Sequence, residues 1–262
     1  MSGGETPEVP AVSYETSDAV AVLTLQRPEA RNVLTAEVLD GLLDGVARAT
    51  ADDDVRVLLL RSTGTTFCGG ADLASAGGGE EGPRRYADVL GALQDCPKPT
   101  LARVQGHVAG GGNGLVAACD LSVAVGSARF AFTEVRVGAA PAVVAVACLP
   151  RLRPVDAAEL FLTGERIDAW RARQVGLVTR VVDDVMALDD EVAELVDALR
   201  HGGPQALATT KELLRRLPGM AREDAFAWAA QVSAGLFASA EAREGMSAFL
   251  QKRPPAWAPP RG

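Results

Sequence analysis

Three consecutive glycines, Gly110, Gly111 and Gly112, break the apolar stretch HVAGGGNGLVAACD (107–120), and Gly114 follows just inside what reads as a helix. Glycine is a poor helix former, so its cost here calls for a use. Where a strand turns into a helix, the first backbone N–H groups lack intrahelical partners and the helix dipole adds partial positive charge. Without a Cβ in the way, a carbonyl oxygen can come close to those donors and be stabilised as it gains negative charge. A second such donor needs a second loop, and FCGGADL (67–73) also leads from a strand end through small residues into a helical start. The plainer alternative is that the glycines only let two elements pack closely. A dinucleotide fingerprint does not fit, because GGGNG lies mid-chain rather than after the first strand, and a phosphate loop would need a GK[ST] ending.

The rest of the chain supplies elements to carry these loops. AVAVLTLQRP (19–28) alternates and is rich in β-formers, so it reads as a strand ended by Pro28. The segment after Thr35 places Val38, Leu39, Leu42, Leu43 and Val46 at helical spacing, with Thr35 as the cap. VRVLLLRS (55–62) is a buried strand, RRYADVLGALQDC (84–96) a helix, and TLARVQGHVAG (100–110) the strand entering the glycines. DLSVAVGSARFAF (120–132) reads as a strand pair. This alternation implies parallel strands joined by crossover helices. Beyond residue 150 helical patterns dominate (154–163, 168–175, 188–200, 204–217, 220–238 and 241–250), with one strand in GLVTRVVD (176–183). The expected organisation is an α/β core over 1–200, its first 12 residues a frayed leader, and a helical module over 201–262. The helices carrying FAWAAQVSAGLFAS (226–239) are apolar enough to require a covering surface.

Composition narrows the partners. The 262 residues carry a net charge of −8 with no basic stripe, which argues against nucleic acid or an anionic membrane. No apolar run reaches the roughly 18 residues of a membrane span, and the acidic, Pro/Gly-rich N-terminus lacks signal-peptide character. The expected location is the cytoplasm. The four cysteines, Cys68, Cys96, Cys119 and Cys148, show no CxxC pairing and read as buried free thiols. With only His107 and His201, a histidine-based zinc site or a Ser-His-Asp triad is disfavoured, and no metal is expected.

Taken in order, RPEARNVLT (27–35), FCGGADL (67–73), KPTLARVQGHVAGGG (98–112), CDLSVA (119–124), FAFTEVRVGAAP (130–141) and the segments 157–182 and 241–257 resemble the enoyl-CoA hydratase/isomerase (crotonase) superfamily over about 240 residues. The resemblance implies a ββα-superhelix (spiral) core with a helical C-terminal trimerisation module. It implies an acyl-CoA thioester as substrate, no permanently bound cofactor, and a homotrimer or homohexamer. It places the thioester oxygen between the N–H groups of Ala71 and Gly111.

Hydratases of this superfamily typically use two glutamates. The second corresponds to Glu134 in FAFTE; the first falls on Gly114, which carries no acid. Two carboxylates sharing one water are the simplest way to hydrate a double bond, so this departure moves weight toward isomerases, which work with one glutamate. GGGNGLVAACD and FTEVRVGAAPAVV also resemble a bacterial branch of methylglutaconyl-CoA hydratases with a small residue at this position. Three readings follow: a hydratase acting through Glu134, a Δ3,Δ2-enoyl-CoA isomerase, and a non-catalytic acyl-CoA binder. If position 114 faces the water, Gly114→Glu is expected to raise hydration. The same resemblance implies substrate contacts from Ala30, Arg31, Gly70, Asp72, Leu73, Gly112 and Asn113, and CoA-phosphate contacts from Lys252 or Arg253. Asn113 either orients water or satisfies backbone, Asp120 holds the end of the glycine-started helix, and His107 packs. The stretch 77–85 reads as a mobile loop near the acyl pocket.

Overall fold

The computed structural model of the chain describes residues 9–72 and 79–259. Its first strand, β1 (Val12–Ser17), pairs antiparallel with β2 (Val20–Leu25) through a two-residue turn in which Asp18 and Ala19 both have positive φ. Residues 11 and 12 therefore belong to the fold and not to a frayed leader. Ala11 is buried and its carbonyl accepts from the amide of Gln26. The sequence conceals this because an edge strand of polar residues looks like a tail until its partner is known.

From β2 the chain enters α1 (Ala36–Ala51), capped as expected by the Thr35 hydroxyl, which accepts from the amide of Val38. β3 (Val57–Ser62) follows, parallel to β2 and buried on both faces, which explains its unbroken apolar run. Next come β4 (Thr66–Cys68) and α2 (Glu81–Asp95), then β5 (Thr100–Val104), β6 (His107–Ala109) and α3 (Gly111–Ala118), then β7 (Leu121–Val125) and β8 (Arg129–Ala131). From β3 onward, each turn of this spiral gives one strand to each of two sheets. With β9 (Ile167–Asp168) and β10 (Arg180–Val182), the sheets run β1-β2-β3-β5-β7-β10 and β4-β6-β8-β9.

Two expectations change. The strands read as a pair in 120–132 lie in different sheets: β7 pairs with β5 and β10, and β8 with β6 and β9. Alternation identifies a strand but not its neighbour. Helix α2 starts at Glu81, so residues 81–85 form its first turn, where Pro83 is tolerated. Arg85 anchors that turn to α1 through Asp40 at 2.8 Å.

The remaining helices are α4 (Ala142–Cys148), α5 (Pro154–Thr163), α6 (Ala169–Gln174), α7 (Val185–Arg200), α8 (Pro204–Arg216), α9 (Arg222–Phe237) and α10 (Ala240–Leu250). The apolar α4 was not anticipated. The expected boundary at 200 falls in the turn between α7 and α8. Neither α8 nor α9 buries a single residue, and Phe226, Phe237, Phe249 and Leu250 stand exposed. Helix α8 is tethered by Lys211, whose ammonium meets the Asp120 carboxylate at 2.7 Å and the Lys98 carbonyl at 2.9 Å. Asp120 also accepts from the amide and hydroxyl of Thr100, so it fixes the end of α3 to β5. All four cysteines are buried and free. Among the described residues, no helix is long and apolar enough to cross a membrane.

Candidate active site

The glycine turn is built by β6, α3 and β8 together. Gly110 adopts φ +49°, a conformation that side-chain-bearing residues rarely take, and this lets the strand reverse into the helix. Its amide donates to the Ala131 carbonyl on β8 at 2.9 Å. The wholly buried Asn113 then donates from Nδ2 to two carbonyls, Gly110 at 3.1 Å and Ala131 at 2.9 Å. Its amide thus clips the turn to the strand that leads to Glu134; of its two anticipated uses, the structure shows the backbone one. Gly112 sits where a Cβ would come within 2.8 Å of the Cys68 carbonyl, so α3 passes close over β4. His107 is exposed on β6 rather than packed.

The second loop is held by a residue that sequence reading passed over. Asn32, fully buried, accepts from the Arg27 amide at 2.8 Å and donates to the carbonyls of Thr63 at 3.0 Å and Thr66 at 2.8 Å. It thereby binds the 27–34 turn to the loop after β3. The Gly69 amide donates to the Arg31 carbonyl and the Leu34 amide to the Gly70 carbonyl, each at 2.8 Å, and Leu34 bridges to Ala71. Gly70 has φ +91°, and a Cβ on it would lie 2.9 Å from the Ala109 carbonyl. The loop carrying Gly70 and Ala71 therefore packs directly on the turn carrying Gly110 and Gly111. Ala30, Arg31 and Ala71 are exposed at the mouth of this junction, with Asp72 half-buried beside them; Leu73 lies outside the described residues.

Glu134 reaches the same place from the third side. Strand β8 continues through Phe132, buried against Phe161 with ring centroids 4.4 Å apart, into a short 3-10 turn that begins at Glu134. Carboxylate oxygen Oε1 lies 3.2 Å from where a Cβ on Gly110 would stand, and Oε2 is buried with no hydrogen-bond partner among the described residues. Burial pushes the Glu134 carboxyl above its ordinary value, partly offset by a hydrogen bond from its own amide. A carboxyl whose ionisation burial makes more costly, with one oxygen unpartnered, is suited to take up and return a proton.

Position 114 is occupied from elsewhere. Tyr86 of α2 points its phenol into the space beside Gly114, donating to the Gly111 carbonyl at 2.5 Å. Burial pushes the phenol well above its ordinary value, and the nearby Glu134 carboxylate acts in the same direction. The signal was available: Tyr86 shares helical spacing with Val89, Leu90 and Leu93, the buried face of α2. Lys252 is not brought to this junction within the protomer. The tail after α10 packs at the start of β3, where Arg56 donates to the Trp257 carbonyl at 3.2 Å and the Gly202 carbonyl at 2.7 Å. Its neighbour Arg253 is held by both oxygens of Glu244 at 2.7 and 2.9 Å.

The chain is similar to known proteins over nearly its whole length. A family model described as enoyl-CoA hydratase/isomerase matches residues 15–260. An enoyl-CoA hydratase of Mycobacterium tuberculosis is 32% identical over 94% of this chain and 96% of its own length. An (E)-benzylidenesuccinyl-CoA hydratase of Thauera aromatica is 32% identical over 94% and 98%. The crystal structure of an enoyl-CoA hydratase of Mycobacterium smegmatis superposes with a TM-score of 0.90 at 35% identity, covering 95% of this chain and 99% of that one.

Proposed function

This chain belongs to the enoyl-CoA hydratase/isomerase family, and we propose that it is a hydratase that works on an enoyl-CoA thioester with Glu134 as its single acid/base. The carrying observation is the half-buried Glu134, whose Oε2 is itself buried and unpartnered, against the turn where the Gly70 and Gly110 loops meet. In this reading the amides of Ala71 and Gly111 hold the thioester oxygen. Water bonds to C3 and gives a proton to Glu134 while the π electrons move onto that oxygen. Glu134 then returns the proton to C2 as the enolate collapses. The enolate is the costly species, and two amide donors stabilise it where it forms; one such donor contributes about 10²–10³ in rate.

The nucleotide would lie at the exposed mouth beside Ala30, Arg31 and Asp72, with Gly70, Gly112, Asn113 and Gly114 shaping the acyl side. A CoA contact from Lys252 requires a second copy of the chain, consistent with a trimer or hexamer built over the exposed apolar helices. Branched unsaturated dicarboxylyl-CoA esters of the methylglutaconyl type are the first substrates to test, on the likeness of 110–120 and 132–144. The bare Gly114 favours a second reading, an isomerase in which Glu134 moves a proton from C2 to C4 of a 3-enoyl-CoA. Assays on crotonyl-CoA, 3-methylglutaconyl-CoA and a 3-enoyl-CoA, with wild type and Glu134→Gln, decide between them. If the wild type binds CoA esters and turns over none, the chain is a non-catalytic binder.

A further inference from the structure

We propose that Tyr86 is the water-positioning residue of this site, its phenol oxygen supplying from α2 the acceptor that position 114 no longer supplies from α3. The inference rests on the hydratase reading. A water that attacks carbon must donate its two protons elsewhere so that a lone pair points at the reacting atom. One acceptor is the unpartnered Oε2 of Glu134. The second must come from another group at the same glycine turn, and the phenol oxygen is one. Oη lies 3.4 Å from the Cβ position of Gly111, while Glu134 Oε1 lies 3.2 Å from that of the adjacent Gly110.

The hydrogen-bond arithmetic fixes which role the phenol can take. A tyrosine hydroxyl has one proton and two lone pairs. The proton is committed to the Gly111 carbonyl at 2.5 Å, which leaves the oxygen only lone pairs for any further partner. Burial keeps the group neutral, and it therefore accepts from water without competing for the proton that Glu134 must carry. In the step, the water oxygen bonds to C3, one O–H bond breaks with its proton passing to Glu134 Oε2, and the C2=C3 π pair shifts onto the thioester oxygen. The second O–H stays intact and hydrogen-bonded to Tyr86, whose own proton does not move. The same bond to Gly111 braces the first turn of α3, so the contribution to water attack must be separated from a contribution to the turn.

Tyr86→Phe separates them, because exchange of the C2 hydrogen of a saturated acyl-CoA uses Glu134 and the thioester-oxygen donors but no water attack. Hydration of crotonyl-CoA and deuterium uptake by butyryl-CoA in D2O would be measured on the same preparations. The expected result is a kcat for hydration about ten- to a hundredfold lower, KM within about threefold, and deuterium uptake within about threefold of wild type. An equal fall in both reactions would show a purely structural residue, and no fall in either would show a dispensable one; each overturns the proposal. A wild type that exchanges deuterium but hydrates nothing is a separate outcome, which sinks the hydratase reading and Tyr86's role together.

Discussion

Tyr86 and Gly114 exclude one another's side chains: a Cβ on Gly114 would lie 2.0 Å from the Tyr86 hydroxyl and 3.1 Å from Val144 Cγ2. The phenol from α2 thus occupies the space that a side chain at 114 would take. A glutamate cannot simply be restored there, because the space is filled by a rigid aromatic side chain.

This reverses the simple expectation for Gly114→Glu. The single variant is expected to hydrate crotonyl-CoA no faster than wild type, with a lower melting temperature from overpacking of about 1–3 kcal/mol. Adding Tyr86→Ala opens the slot, and the double variant should be more active and more stable than Gly114→Glu alone. Comparison of the melting curves and hydration rates of the three proteins checks it; a faster single variant would show that Tyr86 swings aside freely.

Glu134→Gln should lower turnover of whichever enoyl-CoA the wild type uses by about 10²–10⁴-fold, the usual cost of losing a positioned acid/base. Binding of a saturated acyl-CoA, followed by calorimetry, should persist. Variant turnover close to that of wild type would move the chemistry to another group.

The raised Glu134 carboxyl gives two pH signatures of known sign. As the base, it must be ionised, so kcat/KM should fall as pH drops through a pKa above the ordinary carboxylate value of about 4.3. For stability, a carboxyl raised on folding binds protons more tightly in the native state. Its contribution is therefore most favourable at low pH and is lost as pH rises from the unfolded value through the folded one. The melting temperature of Glu134→Gln relative to wild type should accordingly increase across that window. Equal melting temperatures at every pH, measured by scanning calorimetry, would contradict the shift.

Asn113→Ala should destabilise the chain by about 1–3 kcal/mol, since it removes the donor shared by two buried carbonyls, Gly110 and Ala131. Because those carbonyls join the glycine turn to the strand before Glu134, kcat should fall more than acyl-CoA affinity. A urea midpoint matching wild type would refute the clip.

The exposed Phe226, Phe237, Phe249 and Leu250 on helices α9 and α10 call for a covering surface. Sedimentation velocity should show a trimer or a doubled trimer, and Phe237→Asp should shift the distribution toward smaller species. A compact wild-type monomer would contradict the assembly and the route by which Lys252 meets CoA.

Local signals were legible in the chain itself. Helical spacing set α5 over Pro154–Thr163, Thr35 marked the start of α1, the glycines marked the turn into α3, and the FAFTE segment pointed to Glu134. Each depends on residues within a few positions of one another, so sequence order carries them. Tertiary packing alone decided the rest: that β7 and β8 enter different sheets, that Asn32 ties the 27–34 turn to the loop after β3, and that Tyr86 fills the place beside Gly114. Sequence spacing can say which face of a helix is buried, but which distant backbone that face meets follows from how the sheets stack. Glu134 was therefore readable from its own strand, while the placing of Tyr86 beside the glycine turn appeared only once α2 was laid against α3.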